Sequence, residues 1–289
     1  VKQVLFLSGK GGTGKTSLAA AFAFLAKDKV LADCDVDAAN LHLLLDPEII
    51  SSGEFYGSKV AVRDASLCTE CGRCREVCRF DAIHDGFEID PYFCEGCGAC
   101  VTVCAAGALV LEERLSGRWF NAETRHGPLA SAELRAGEEA SGKLVSEVKK
   151  NMRGLAEESA ARWAIIDGSP GIGCPVIASA SGVDAVILVA EPTLAGMHDL
   201  RRVLEVTEHF RIPAYLVVNK ADLSPLTTKE LVRFAAEREL PFLGSIPYDP
   251  AVPDRLLEGR SVVEDQESPA GEAMRRIFER FMEEVGRGF

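Results

Sequence analysis

Two groups of residues in this 289-residue sequence have types and spacings suited to chemistry. The first is Gly9, Lys10, Gly11, Gly12, Thr13, Gly14, Lys15 and Thr16, which fits G-x-x-x-x-G-K-[ST] and is followed by Ser17. Glycines in that pattern let backbone N–H groups curl around phosphate oxygens. A lysine at the place of Lys15 reaches the β- and γ-phosphates, and a hydroxyl at the place of Thr16 ligates Mg²⁺. The second group is Cys68, Cys71, Cys74 and Cys78, repeated as Cys94, Cys97, Cys100 and Cys104, each run spaced C-x₂-C-x₂-C-x₃-C. Thiolates this dense point to a metal. Iron–sulfur clusters suit two complete runs, and zinc is the competing reading, although its sites pair two C-x₂-C units across a longer loop. Of the other two cysteines, Cys34 reads as a small packing residue and Cys174 as a buried structural thiol, the alternative for Cys174 being a place facing a second subunit.

Positioning these residues requires a recognisable series of elements. Residues 3–7 read as a buried strand, the glycine-rich loop follows at once, and Lys15–Lys27 reads as an alanine-rich helix. A second strand, Val30–Ala32, runs into an acidic turn holding Asp33, Asp35 and Asp37. Later apolar runs end at Asp167, at Glu191 and at Asn219, and a last one ends near Ile246. Helices are expected over about 142–159, Asp199–Phe210 and Thr228–Glu239. Strand, loop and helix in alternation predict an α/β fold, a mostly parallel sheet covered by helices on both faces. The cysteine segment interrupts that series and is internally duplicated, its halves starting 26 residues apart. The expected organisation is therefore a core domain over 1–58 and 116–289 with an inserted α+β domain over 59–115. A hairpin near 117–134 returns the chain to the core.

Composition narrows the partners. A net charge of −12 argues against nucleic acid and anionic membrane, which reward basic patches. No apolar stretch is long enough to predict a transmembrane helix. The apolar face Ala273, Met274, Ile277, Phe278, Phe281, Met282 and Val285 is expected to pack on the sheet rather than on lipid, because Arg and Glu balance along it. Val4–Leu7 is too short for an export signal, so a reducing cytoplasm is the expected compartment, where dense cysteines mean metal or redox chemistry rather than disulfides.

The stretch Lys10–Thr16 resembles the deviant phosphate loop of the MinD/ParA/Mrp class of P-loop ATPases. That resemblance implies a nucleotide-dependent dimer, of two copies or of this chain with a paralogue, in which Lys10 crosses to the partner's phosphates; the plain alternative is a solvated loop lysine. It also implies that Asp35 orients the attacking water, that Asp167 holds a Mg²⁺-bound water and that the Gly171 N–H follows the γ-phosphate. Asp33 and Asp37 read equally well as turn or helix-capping residues. Asn219, with Pro247 and Asp249 of the Ile246–Asp249 segment, is implied at the adenine. Asn219–Asp222 also spells the guanine-reading pattern, and ATP is preferred on the strength of the deviant loop.

The cysteine runs resemble a bacterial-type ferredoxin with two [4Fe–4S] clusters. By the rule of that family the fourth cysteine of each run ligates the other cluster, giving Cys68, Cys71, Cys74 and Cys104 for one and Cys94, Cys97, Cys100 and Cys78 for the other. Arg79 and Ala105 stand where the family usually has proline. Together the resemblances imply an ATPase that couples nucleotide state to electron transfer and works with a redox or metallocluster protein. A cluster carrier and a redox-sensing ParA-like positioning protein are the alternatives, and the C-terminal C-x-x-C of Mrp-type carriers is absent.

Overall fold

The computed structural model describes residues 1–138 and 141–288. In chain order the strands are β1 (Lys2–Leu7), β2 (Lys29–Asp33), β3 (Glu48–Arg63), β4 (Leu109–Thr124), β5 (Gly127–Leu134), β6 (Trp163–Asp167), β7 (Ala185–Ala190), β8 (Ala214–Asn219) and β9 (Phe242–Ile246). The helices are α1 (Lys15–Leu25), α2 (Leu41–Leu45), α3 (Arg73–Val77), α4 (Ala99–Val103), α5 (Ser141–Glu158), α6 (Cys174–Ala180), α7 (Leu194–His209), α8 (Pro225–Glu237), α9 (Ala251–Leu257) and α10 (Pro269–Gly288).

The nine strands follow the order β3-β4-β5-β2-β6-β1-β7-β8-β9. From β5 to β9 the neighbouring strands are parallel. The β4–β5 pair is the expected hairpin, joined through Arg125 and His126, a connection so short that only antiparallel strands can use it. Residues Val4–Leu7 of β1, Ala164–Ile166 of β6 and all of β7 are apolar and buried, as parallel strands between helical layers must be.

The chain forms two compact units. One comprises Val1–Ser52, Trp119–Glu133 and Ser141–Phe289; the other comprises Gly53–Arg118 and Leu134–Ala140. In the first, Phe22 of α1 meets Phe6, Phe278 and Phe281 edge-on at centroid distances of 5.0, 5.1 and 5.6 Å. The apolar face of α10 is thus spent inside this core, with Met274, Ile277, Phe281 and Val285 buried. Among the described residues no helix is long and apolar enough to cross a membrane.

The second unit starts earlier than the cysteine spacing indicates and includes a segment from beyond the hairpin. The Arg114 guanidinium holds the Glu138 carboxylate at 2.6 Å, and the Ser58 hydroxyl donates to the same side chain, which ties 134–138 to this unit. Its duplication is visible in the backbone. Gly72 and Gly98, each between the second and third cysteine of a run, cap α3 and α4 at φ 81° and 76°. Only glycine enters that left-handed region without penalty. Each short helix then ends against the fourth cysteine, Cys78 or Cys104.

Candidate nucleotide site and cysteine cavities

The central place of β1, between β6 and β7, decides where the first group of residues goes. The chain leaves β1 at the carboxyl end of the sheet, and the ends of β2, β6, β7 and β8 bring Asp33, Asp167, Glu191 and Asn219 to that same edge. Open parallel sheets bind ligands there. Gly12 and Gly14 adopt φ 78° and 89°, and Gly11 and Gly12 have no atom within 4 Å of where a Cβ would stand. The loop backbone is therefore open on one side. Thr13 is 3% exposed and its hydroxyl has no partner, a buried polar atom of the kind a ligand satisfies.

Lys15 is buried, with Nζ 2.6 Å from Asp167 Oδ1, and the Thr16 hydroxyl donates to Asp167 Oδ2 at 2.6 Å. Burial alone would lower the Lys15 ammonium, but Asp167, with Asp35 and Asp33 adding to it, outweighs burial and holds the lysine above its ordinary value. Asp33 is the register partner of Asp167. It accepts from the N–H groups of Asp35, Asn40 and Leu41, and burial, with Asp167 beside it, pushes it up to about 7. Those bonds shape the turn carrying Asp35. Burial lifts Asp35 to about 6, with Lys15 pulling down and Asp167 pushing up. The Gly171 N–H donates to the Ser8 carbonyl at 2.9 Å, tying the segment after β6 to the loop. Lys15 and Thr16 are bonded directly to Asp167, and Asp35 is close enough to interact with Lys15 and Asp167, whereas the Gly171 N–H implied at the γ-phosphate is engaged by Ser8. The thiol of Cys34 is wholly buried, as a packing residue is, and pushed up to about 12, mainly by burial; Cys174, expected to be a buried structural thiol, is instead exposed at the start of α6.

Three expected residues have other engagements in this structure. The Asn219 amide donates to the Thr13 carbonyl at 2.8 Å, and so braces the loop. Asp249 is buried and accepts from the Ala251 and Ala270 N–H groups and the Ser268 hydroxyl, a cap for the starts of α9 and α10. Sequence order places it near a base, whereas its carboxylate is consumed by the fold. Pro247 lies half-buried in the loop after β9. Lys10, implied at a partner's phosphates, is ion-paired with Glu191 of its own chain. Glu191 and Lys220, whose Nζ donates to the Gly12 carbonyl at 2.9 Å, are the site residues the sequence reading passes over. Their loop partners, Lys10 and Gly12, lie far off in sequence; locally each only follows the end of a strand, and Lys220 falls within the Asn219–Asp222 pattern.

A prediction follows from the bracing. A Cβ on Gly14 would stand 2.1 Å from Asn219 Nδ2 and would also force a left-handed alanine, strain of roughly 1–3 kcal/mol. Gly14→Ala is expected to lower the denaturant midpoint and to abolish retention of a fluorescent nucleotide. Retention close to wild type would remove Asn219 from the loop's support.

None of the ten cysteines is joined in a disulfide. In the second unit, Cys68, Cys71, Cys74 and Cys104 line one cavity of about 230 Å³, with Arg63 and Arg73. Cys78, Cys94, Cys97 and Cys100 line another of about 20 Å³, walled by Ala61, Ile83, Ile89 and Leu111. Each cavity takes three cysteines of one run and the fourth of the other. Among the described residues no three His, Cys, Asp or Glu side chains gather closely enough to hold a single metal ion. The runs are nonetheless electrostatically crowded. Burial raises the Cys74 thiol, with Cys68 and Cys71 adding to the shift, and burial raises Cys100, with Cys94 and Cys97 doing the same. The Arg73 backbone N–H lowers Cys71. The Ala61 N–H donates to Cys94 Sγ at 3.4 Å.

Residues 4–262 match the CobQ/CobB/MinD/ParA nucleotide-binding domain. The chain belongs to that family. It is 34% identical over 289 residues to an uncharacterized protein of Methanocaldococcus jannaschii, covering 98% of this chain and 97% of the relative. A second protein of that organism, named as an uncharacterized ATP-binding protein, is 24% identical over 282 residues, with 95% and 85% covered. Among solved structures, the septum site-determining protein MinD of Pyrococcus horikoshii, complexed with Mg-ADP, superposes with a TM-score of 0.61. It is 18% identical, with 99% and 97% of the two chains covered. The Cyanothece McdA(D38A)–ATP complex gives 0.59 at 15% identity, with 99% and 96% covered. These last two likenesses establish the fold, an α/β P-loop architecture.

Proposed function

We propose that this CobQ/CobB/MinD/ParA family member is an ATPase that dimerises on nucleotide and couples nucleotide state to electron transfer through two [4Fe–4S] clusters. The observation carrying the proposal is that one chain combines the phosphate loop with two four-cysteine cavities whose membership is the crossed set that two-cluster ferredoxins use. Cys68, Cys71, Cys74 and Cys104 would hold one cluster, and Cys78, Cys94, Cys97 and Cys100 the other. Such clusters supply one-electron storage at low potential. The donor set is all thiolate, and a bound cation would offset the burial, and the smaller repulsion from neighbouring cysteines, that raise Cys74 and Cys100.

On the nucleotide side, the loop amides and Lys15 hold the β- and γ-phosphates, and Thr16 and Asp167 supply oxygens toward Mg²⁺. Relatives named for ATP binding, or solved with Mg-ADP or ATP, support ATP over GTP. So does Asp222, whose Oδ1 already accepts from the Tyr248 N–H at 2.6 Å. Lys15 must exchange Asp167 for phosphate when nucleotide arrives. Asp35 orients the attacking water and draws its proton as the new P–O bond forms and the bond to ADP breaks. Lys10 of a second copy neutralises charge on the transferring group. A low-potential one-electron donor protein is the partner class, and the cytoplasm is the matching compartment.

The pH dependence follows from Asp35. Its value near 6 lies above the ordinary 3.8, so the free protein carries it protonated over a window where a solvated aspartate would be ionised. As a base it must be ionised, so kcat/KM for ATP is expected to rise through about pH 6 and then level. Asp35→Asn should remove the limb along with most of the rate. A limb near 4 would mean that Asp35 is not the group observed.

The fold likeness to MinD and McdA favours one second reading, a positioning ATPase in which the cysteines sense redox state. Nucleotide titration of oxidised and reduced protein separates the two, since only the coupled machine must show affinities that differ with cluster reduction.

A further inference from the structure

Lys10 is not loose in this structure. Its ammonium pairs with Glu191, the first residue after β7, and the side chains are only 36% and 14% exposed. The same carboxylate lies 3.4 Å from Lys220 Nζ, and Lys220 also donates to the Gly12 carbonyl. The neighbouring backbone is fixed. A Cβ on Gly9 would stand 2.2 Å from Asp199 Cβ, so the start of α7 abuts the loop just before Lys10. A pair this sheltered is screened less than one on an open surface. Burial would raise the Glu191 carboxyl, but Lys10 and Lys220 together hold it below its ordinary value, and it is ionised.

We propose that Glu191 is a positioning residue that parks Lys10 in its own subunit, and that Lys220 takes over the carboxylate when Lys10 leaves for the phosphates of a second copy. The inference rests on the cross-subunit role given to Lys10 above. Its physical content is an exchange. Lys10 gives up one carboxylate for a polyanionic phosphate group, and Glu191, 14% exposed, is not left as a nearly buried unpaired charge because Lys220 is already within reach. The parked pair therefore sets a threshold against dimerisation, and Lys220 lowers it.

The two charges give opposite signs, which makes the inference testable by dimerisation rather than by activity. Sedimentation of the full chain with a non-hydrolysable ATP analogue yields the protein concentration at half-dimer. Glu191→Gln is expected to lower that midpoint roughly five- to tenfold, the order of a sheltered ion pair. Glu191→Asp, which keeps the charge, should stay near wild type, and Lys220→Gln should raise the midpoint. In a Lys10→Ala background, Glu191→Gln should have no effect, because nothing remains to be parked. A Glu191→Gln shift that persists without Lys10, or a Lys220→Gln midpoint that falls, overturns the proposal. Should Glu191→Gln not fold, the Lys220→Gln midpoint decides alone: a rise supports the proposal, and no change or a fall overturns it. The underlying reading fails separately, if Lys10→Ala alone leaves ATP hydrolysis within a few-fold of wild type.

Discussion

Lys10→Ala is expected to bind ATP and to hydrolyse it about 10³–10⁵ times more slowly than the parent, the range for a charge supplied across an interface to a transferring phosphoryl group. Binding survives because Lys15, the open Gly11–Gly12 backbone and the Thr13 hydroxyl all remain. Lys15→Ala should behave differently and lose binding itself, since it removes the buried ammonium and leaves Asp167 without its ion-pair partner. Equilibrium binding of a fluorescent ATP analogue beside single-turnover hydrolysis separates the cases. If Lys10→Ala keeps hydrolysis within a few-fold, the lysine stays with Glu191 throughout and the dimer chemistry must be abandoned. Mixing Lys10→Ala with Lys15→Ala protein adds a sharper form. A mixed dimer carries an intact Lys10 facing an intact nucleotide site, so part of the rate should return.

The second large effect concerns the crossed cysteines. Protein purified without oxygen is expected to hold about eight iron atoms per chain, four for each cubane cluster. Cys78→Ala should damage the cluster held by Cys94, Cys97 and Cys100, and Cys104→Ala the one held by Cys68, Cys71 and Cys74. These are the cavities each fourth cysteine lines, although each lies in the other run by sequence. Electron paramagnetic resonance of the reduced variants reads which cluster is lost. Loss of the cluster of its own run in each case would show self-contained ligation, and iron near zero in the parent would remove the clusters from the account.

Much of this site is legible in the sequence because its parts are local. The Gly9–Thr16 pattern fixes a loop between β1 and α1 without reference to anything distant, and the cysteine runs mark the duplication, although the short helices α3 and α4 that Gly72 and Gly98 cap are visible only in the structure. Asp33 and Asp167 are legible as strand ends, though not as register partners. What spacing does not carry is long-range bonding. The Glu191–Lys10 pair, the Lys220 bond to Gly12 and the Asn219 bond to Thr13 depend on β7 and β8 lying beside β1 and just beyond it. Asp249 reads as a site residue and serves as a cap because its partners, Ser268 and Ala270, arrive from a separate helix.

Two helix starts were available and pass unread. Thr193 accepts the Gly196 N–H at 2.9 Å and opens α7 five residues before Asp199, and Pro225 occupies the first turn of α8 ahead of Thr228. Strand β3 hides for a different reason. Half of its residues are exposed and only Gly57 and Ala61 are buried, so it lacks the apolar run that marks the central strands.

The claim that joins both units in one function is that nucleotide state and cluster redox state share a free energy. Linkage makes that reciprocal: if bound ATP shifts the cluster potential, cluster reduction must shift ATP affinity by the same factor. Titration of oxidised and of dithionite-reduced protein with ATP, using Asp35→Asn so that hydrolysis does not consume the ligand, measures that factor directly. Dissociation constants differing by about 5- to 150-fold between the redox states are the predicted result. Equal constants, in protein shown to hold both clusters, would contradict it.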